Sequence, residues 1–239
     1  MIRLNNIKIK QNLPNKEVFK FAIKKFHINS ADIIEWHISR KSIDARKKDD
    51  ISYNYSIDLE VKDEHKYNKL PKVVRFEMPK INIKNNFSCN PIIVGAGPSG
   101  LFAAITLVQN GIKPIIVEQG ATVENRLKDV EAFQKSGKLN RFSNVQFGEG
   151  GAGTFSDGKL TTGIHSPYCQ KVLQEFVYFG APEEILYLAK PHIGTDNLIG
   201  ILRNMRKYII LNGGKFLFST RVTDFEINVA LPLKRKIFL

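Results

Sequence analysis

Three stretches near the start of the chain alternate apolar and polar residues with the two-residue period of a strand. Ile2 and Leu4, then Ile7 and Ile9, make the first, with a slip at Asn5 and Asn6 that predicts a bulge. Ile34, Trp36 and Ile38 make the second. Ile51, Tyr53, Tyr55, Ile57, Leu59 and Val61 make the third, set against Ser52, Asn54, Ser56, Asp58 and Glu60 without an error. That third run reads as a half-buried strand. Between the first two, Asn15 after Pro14 is placed as a helix N-cap. Phe19, Ala22, Ile23 and Phe26 then recur at helical spacing. The order β-α-β-β predicts a small ferredoxin-like α+β domain. From Asp63 to Asn90 the chain is polar and broken by Pro71 and Pro79, which reads as a linker.

The pattern then changes. Ile92, Ile93 and Val94 form a short β-branched run of the kind found in strands buried on both faces. The run breaks at Gly95-Ala96-Gly97-Pro98-Ser99-Gly100, and a helical stretch follows from Leu101 to about Asn110, with Gly111 at the C′ position. Pro114 opens a second strand, Ile115 to Val117, and Glu118 ends it, eighteen residues past Gly100. Each glycine has a physical reason in a dinucleotide site. Gly95 allows the tight turn, Gly97 lets a pyrophosphate approach the backbone, and Gly100 lets the helix pack close to the strand. The helix start offers free N–H groups and a positive dipole end, and the acid reaches the ribose, with its neighbour Gln119 also a cofactor-binding candidate. GxGxxG alone is a weak signal, and a tight turn without a ligand is its alternative. The strand before it, the helix after it and the acid favour the ligand.

Pro98 within the glycine motif, Glu118, Gly120 and Arg126 resemble FAD-binding flavoproteins of the glutathione-reductase type. More specifically, GAGPSGLFAA, Asn144 to Thr162 (NVQFGEGGAGTFSDGKLTT) and Glu183 to Asp196 (EEILYLAKPHIGTD) resemble a family of bacterial FAD-dependent dehydrogenases, the NAD(P)/FAD-dependent oxidoreductases. Ile38 to Lys48 (ISRKSIDARKK) is similar to that family's leading domain. The resemblance implies an α/β fold: a partial Rossmann-type FAD/NAD(P)-binding domain at 89–239, after the ferredoxin-like domain with its linker at 1–88. It implies FAD as cofactor, NAD(P)H as a candidate electron donor, Arg126 near the pyrophosphate, and the backbone at Val222 against the adenine. It names no substrate. Family members are about twice as long, and the late glycine–aspartate motif of such proteins is absent, so the chain is expected to carry the N-terminal half.

Gly148, Gly150, Gly151, Gly153, Gly158 and Gly163 fall within sixteen residues. So many glycines cost conformational entropy, and a packing or ligand reason is expected. Gly150, Gly151, Gly153 and Thr154 are the candidates to wrap the cofactor, with Glu149, Ser156, Asp157 and Lys159 as polar groups brought to the flavin. A hinge or lid is the alternative. Ser166-Pro167 then starts a helix stopped by Gly180, and Thr195-Asp196 starts another that stops at Gly213-Gly214. Phe216, Phe218, Val222 and Phe225 suggest two short strands, and periodicity disappears from Asn228. His165 and His192 are the candidate proton-transfer groups. A lone loop histidine is more often a structural hydrogen-bonder.

Composition narrows the function further. The chain has 239 residues and a net charge of +13, of which residues 1–90 hold +8. Arg40, Lys41, Arg46, Lys47 and Lys48 cluster there, with Trp36 and Tyr53 as stacking faces, which offers an alternative function: a basic nucleic-acid or protein interaction module with a vestigial dinucleotide site. A charged hairpin in water is the simpler reading. A truncated reading frame without stable function is a third. No apolar stretch approaches the roughly 20 residues of a membrane helix, and MIRLNNIKIKQN has no signal-peptide core. Cys89 and Cys169 stand eighty residues apart without CxxC, which excludes a disulfide framework and a redox cysteine pair. The default location is cytoplasmic, the expected partner a small-molecule substrate, and no metal site is expected.

Overall fold

The computed structural model describes residues 1–84, 87–156 and 158–226, so Asp157 and the aperiodic end from 227 on lie outside the described residues. The chain is mixed α/β and groups into two units: Met1–Asn82 with Gly153–Asn204, and Ile83–Ala152 with Met205–Leu239. The sequence reading draws one boundary, at 88/89. The contact grouping has three, and it places 153–204 with the N-terminal sheet.

In the first unit β1 (Ile2–Ile9), β2 (Ile33–Asp44) and β3 (Ser52–Val61) form an antiparallel sheet in the order β1-β3-β2. The register of β1 shifts between Leu4 and Ile7, and Asn6 takes a φ of 57°, so the expected bulge is present. Helix α1 (Asn15–Lys25) covers one face, and Ile2, Leu4, Ile7, Val18, Ala22, Tyr55, Ile57 and Leu59 make its core. Pro14, not Asn15, is the N-cap residue, with no side-chain capping bond; Asn15 donates to the Tyr187 hydroxyl at 3.3 Å instead. β2 runs beyond the predicted Ile38, so Arg40 and Lys41 lie inside a strand, and the turn holds Arg46, Lys47 and Lys48. Arg46 closes on Asp44 with two bonds of 2.8 and 2.7 Å.

β3 is not half-buried. Asp58, on its polar face, is only 5% exposed. The stretch read as a linker also packs: Arg3 N donates to Pro71 O at 2.8 Å, Val73 N to Met1 O at 3.0 Å, and Leu70 rests on the core. A proline lacks an N–H but keeps a good acceptor, so Pro71 can serve an edge strand. The later segment of this unit carries α4 (Pro167–Tyr178), capped by Ser166 as expected, and the start of α5 (Thr195–Leu211). Lys41 N donates to Tyr187 O at 2.7 Å, and Ala189 N to Lys41 O at 2.9 Å. Two of the idiosyncratic sequence stretches thus pair with each other.

In the second unit β4 (Ile92–Val94), β5 (Ile115–Val117) and β6 (Lys215–Leu217) are parallel, in that order. Helix α2 (Pro98–Gln109) buries Leu101, Ala104, Ile105 and Val108, and α3 (Val123–Ser136) ends at Gly137 in the left-handed region. β4 departs from expectation. Ile92 and Val94 are 66% and 67% exposed, so the run is not covered on both faces. Among the described residues β6 is the one strand after α5; Phe218, Val222 and Phe225 form no second one. No helix among the described residues is long and apolar enough to cross a membrane.

Ile57 is fully buried on the central strand of the first unit's sheet. Replacing it with Ala should lower the unfolding free energy of this unit by about 2–5 kcal/mol. Urea unfolding checks this.

Candidate functional site

The second unit builds its site from a short strand that ends in glycine. Gly95 sits at φ +98°, which only glycine adopts without strain, and donates to Val117 O at 2.8 Å. Glu118, at the end of β5, is almost fully buried. Its Oε2 accepts from Ala96 N at 2.7 Å and its Oε1 from Gly120 N at 2.8 Å. One carboxylate therefore fastens the glycine turn to the exit of the neighbouring strand.

Gly97 is the N-cap of α2, with Pro98 at the first helical position and Ser99 exposed beside it. No side chain caps this helix, so its positive end and first-turn N–H groups are open. At Gly100 a methyl group would overlap the Gly95 carbonyl oxygen and come within 3.3 Å of Ile93. Only glycine fits that close approach of helix and strand. At Gly97 a methyl group would meet nothing nearer than the Gly151 Cα, at 4.0 Å. That is a cradle rather than a packing contact.

The second glycine loop lies against this turn. Gly150 N donates to Ala96 O at 2.8 Å, and Gly151 approaches Pro98 and Gly97. Gly148, Gly150 and Gly151 all have positive φ, which bends the loop back along the turn. A Cβ on Gly120 would fall 2.5 Å from the Gly148 Cα, and one on Gly148 would fall 2.6 Å from the Arg126 Cδ. Part of the glycine density is therefore a packing requirement.

Arg126 explains the packing. It stands on α3 and is completely buried. Its Nε donates to Asn144 O at 2.8 Å, Nη2 to Val145 O at 2.7 Å and Nη1 to Glu149 O at 2.8 Å. Guanidinium donors thus satisfy a loop whose carbonyls have no strand partner. Burial lowers the Arg126 pKa to about 10, against the pull of Glu118 and Glu149, so it stays charged at neutral pH. Glu149 is also turned inward and fully buried, not presented to a ligand. It accepts from Val123 N at 2.7 Å and from Arg206 on α5, which also reaches Glu124 at 2.6 Å. Burial raises the Glu149 pKa to about 7, with the Val123 N–H and Arg206 offsetting it in part. The sequence reading missed Arg206, whose only signal is a basic residue among the apolar positions of an amphipathic helix.

A cleft of about 240 Å³ opens beside the turn, lined by Gly95, Val117, Glu118, Gln119, Thr220 and Val222 among others. It is smaller than the roughly 300–1,000 Å³ of sites for drug-sized ligands, and suits part of a dinucleotide. The structure so gathers Gly95 to Gly100, Glu118, Gln119, Gly150, Gly151 and Val222, with Arg126 behind them. Gly153 and Thr154 fall in a 3-10 turn, Ala152–Phe155, that opens the segment grouped with the first unit. His165 and His192 belong to that first unit and are exposed; His192 pairs with Lys159 in an isolated bridge.

Residues 88–131 match the family described as FAD binding domain. The match takes in β4, the glycine turn, α2, β5, Glu118 and Arg126, and supports an FAD-binding domain of the oxidoreductase type there. Residues 1–60 match a domain of unknown function. A protein of Clostridium beijerinckii, named only as uncharacterized, is 42% identical over 229 residues, which cover 92% of this chain and 43% of that protein. The chain spans less than half the length of this relative.

The raised Glu149 pKa has a pH signature. The folded carboxyl holds its proton up to about pH 7, whereas an unfolded glutamate releases it near 4.3. The folded state therefore binds more protons, and its stability falls as pH rises between those values. Glu149→Gln keeps an acceptor for Val123 N–H and removes the titration. Urea unfolding from pH 4 to 8 should show the wild type losing stability relative to this variant as pH rises, with a plateau above pH 7.

Proposed function

We propose that the second unit binds FAD by its adenosine diphosphate half and serves a flavoprotein oxidoreductase. In this reading β4, α2, β5 and β6 are the first half of a Rossmann-type sheet, which orders its leading strands in the same sequence. The β-α-β-β unit before it is a ferredoxin-like domain. The observation that carries the reading is the cradle at Gly97: backbone N–H groups, an uncapped helix and a second glycine loop converge on a space that a side chain would fill.

The residues fit the group. Gly95, Ala96, Gly97, Pro98, Ser99 and Gly100, with Gly150 and Gly151, would hold the pyrophosphate through N–H groups and the helix dipole. Glu118 and Gln119 would meet the ribose, although both Glu118 oxygens already accept a backbone N–H. Each keeps a lone pair for a hydroxyl. Val222 would lie at the adenine. Arg126 acts one layer behind, by holding the carbonyls of the loop. FAD, when bound, supplies hydride acceptance and return; the protein supplies binding, orientation and exclusion of water. NAD(P)H is the candidate electron donor. His165 and His192 are exposed loop residues, and neither has a side-chain partner among the described residues that would orient an imidazole for proton transfer.

Gly97→Ala separates this reading from a purely structural turn. The φ at Gly97 is −72°, which any residue adopts, and the added methyl meets only the Gly151 Cα. Stability should stay within about 0.5 kcal/mol, while FAD retention through gel filtration falls at least tenfold. A wild-type chain that takes up no FAD, or a variant that retains it equally, contradicts the proposal.

A further inference from the structure

Two walls of the cleft beside the glycine turn come from distant parts of the chain. One is the second glycine loop, with Gln146, Phe147 and Gly148; the other is Thr220, Arg221 and Val222, which follow β6. The second wall is aimed by a backbone conformation that side chains resist. Ser219 has a φ of 52°, in the left-handed region that residues other than glycine seldom enter. Such strain persists only where the surroundings over-determine it. Ser219 N donates to Gly120 O at 3.0 Å, and Thr220 N donates to Glu118 O at 3.0 Å. On the strand side of the turn stands Phe218, stacked on Phe216 with ring centroids 5.3 Å apart.

One side chain touches both walls. Arg206 Nη1 donates to Glu149 in the glycine loop, and its Nη2 donates at 2.6 Å to Glu124 in the first turn of α3. The same guanidinium lies over the Phe218 ring, with its central carbon 5.9 Å from the centroid, which is a cation–π distance. The side chain is largely buried, and all of these residues belong to the second unit. A planar fork can bond two carboxylates through its edge while its face lies on a ring; an ammonium is a single point charge. Arg126 does not duplicate this, because its bonds to the carbonyls of residues 144, 145 and 149 all fall on one wall.

We infer that Arg206 is a positioning residue for the dinucleotide site: it holds the glycine loop through Glu149 and the wall at residues 219–222 through Phe218, so that one guanidinium sets the width of the cleft. A nucleotide then meets walls already at their bound separation, which lowers the ordering cost of binding. The effect on FAD rests on the flavin reading above. The clamp between the two walls does not.

Amide hydrogen exchange on the full chain without added ligand reads the clamp, because it reports local opening. Arg206→Lys keeps a cation beside Glu149 but loses the fork, and Arg206→Met combined with Glu149→Gln removes both charges together. In both variants the bonded amides of Glu149, Gly150, Ser219 and Thr220 should exchange at least tenfold faster. Those of α2 should keep wild-type rates, and the thermal melt should stay cooperative. Titration of the same proteins with FAD, followed by flavin fluorescence, should give a Kd at least tenfold weaker than that of the wild type. Loss of protection throughout the fold would make Arg206 a general stabiliser and overturn the inference. So would unchanged exchange, faster exchange at one wall alone, or an unchanged Kd for FAD. A wild-type chain that takes up no FAD contradicts the flavin reading instead, and the exchange rates then decide the clamp by themselves.

Discussion

The glycine turn of the second unit depends on one buried carboxylate. Glu118 accepts the Ala96 N–H with one oxygen and the Gly120 N–H with the other. Those two N–H groups lie at the ends of different strands, so the bond pair sets the distance between the turn after β4 and the exit of β5. Ala96 passes the order on, because its carbonyl accepts from Gly150 and brings the second glycine loop alongside. A charge-assisted bond to a backbone donor is about twice as strong as a neutral one. With both oxygens so used inside a protein, the carboxylate is as much an organiser of the cradle as a contact for what lies in it.

Behind the cradle, charge is buried in a chain of partners. Arg126 caps the carbonyls of residues 144, 145 and 149, and Glu149 joins the start of α3 to Arg206 on α5. Leaving one member of such a network unpaired typically costs several kcal/mol, whereas the intact network adds little net stability. Its value is geometric. It fixes a loop rich in glycine that would otherwise sample many conformations, and a preformed loop loses less entropy when a ligand arrives.

What was legible in the sequence was local. The strand, the turn, the helix and the acid follow one another within thirty residues, and each residue type is demanded by its own backbone position: Gly95 by its positive φ, Gly100 by the approach of helix to strand, Gly111 by the helix end. The bulge at Asn6 was legible for the same reason. Burial imposed by distant chain was not. Nothing local marks Arg126 as buried, because the carbonyls it serves lie some twenty residues on. Asp58 reads as solvent-facing because its cover comes from a segment a hundred residues away. Pro71 and Pro79 read as breakers of structure, although Pro71 contributes a carbonyl to the N-terminal strand. The β-branched run at Ile92 misleads in the other direction, since its composition suits cover on both faces and the described residues supply it on one.

The central claim is that the cleft at Glu118 and Val222, with the cradle at Gly97, takes the adenosine diphosphate half of FAD. The direct test is a competition measured by flavin fluorescence on the wild-type chain. FAD should bind and be displaced by ADP, while FMN, which has the flavin but lacks the adenosine half, should bind at least tenfold more weakly. FMN binding as tightly as FAD, or FAD that ADP does not displace, would contradict the account.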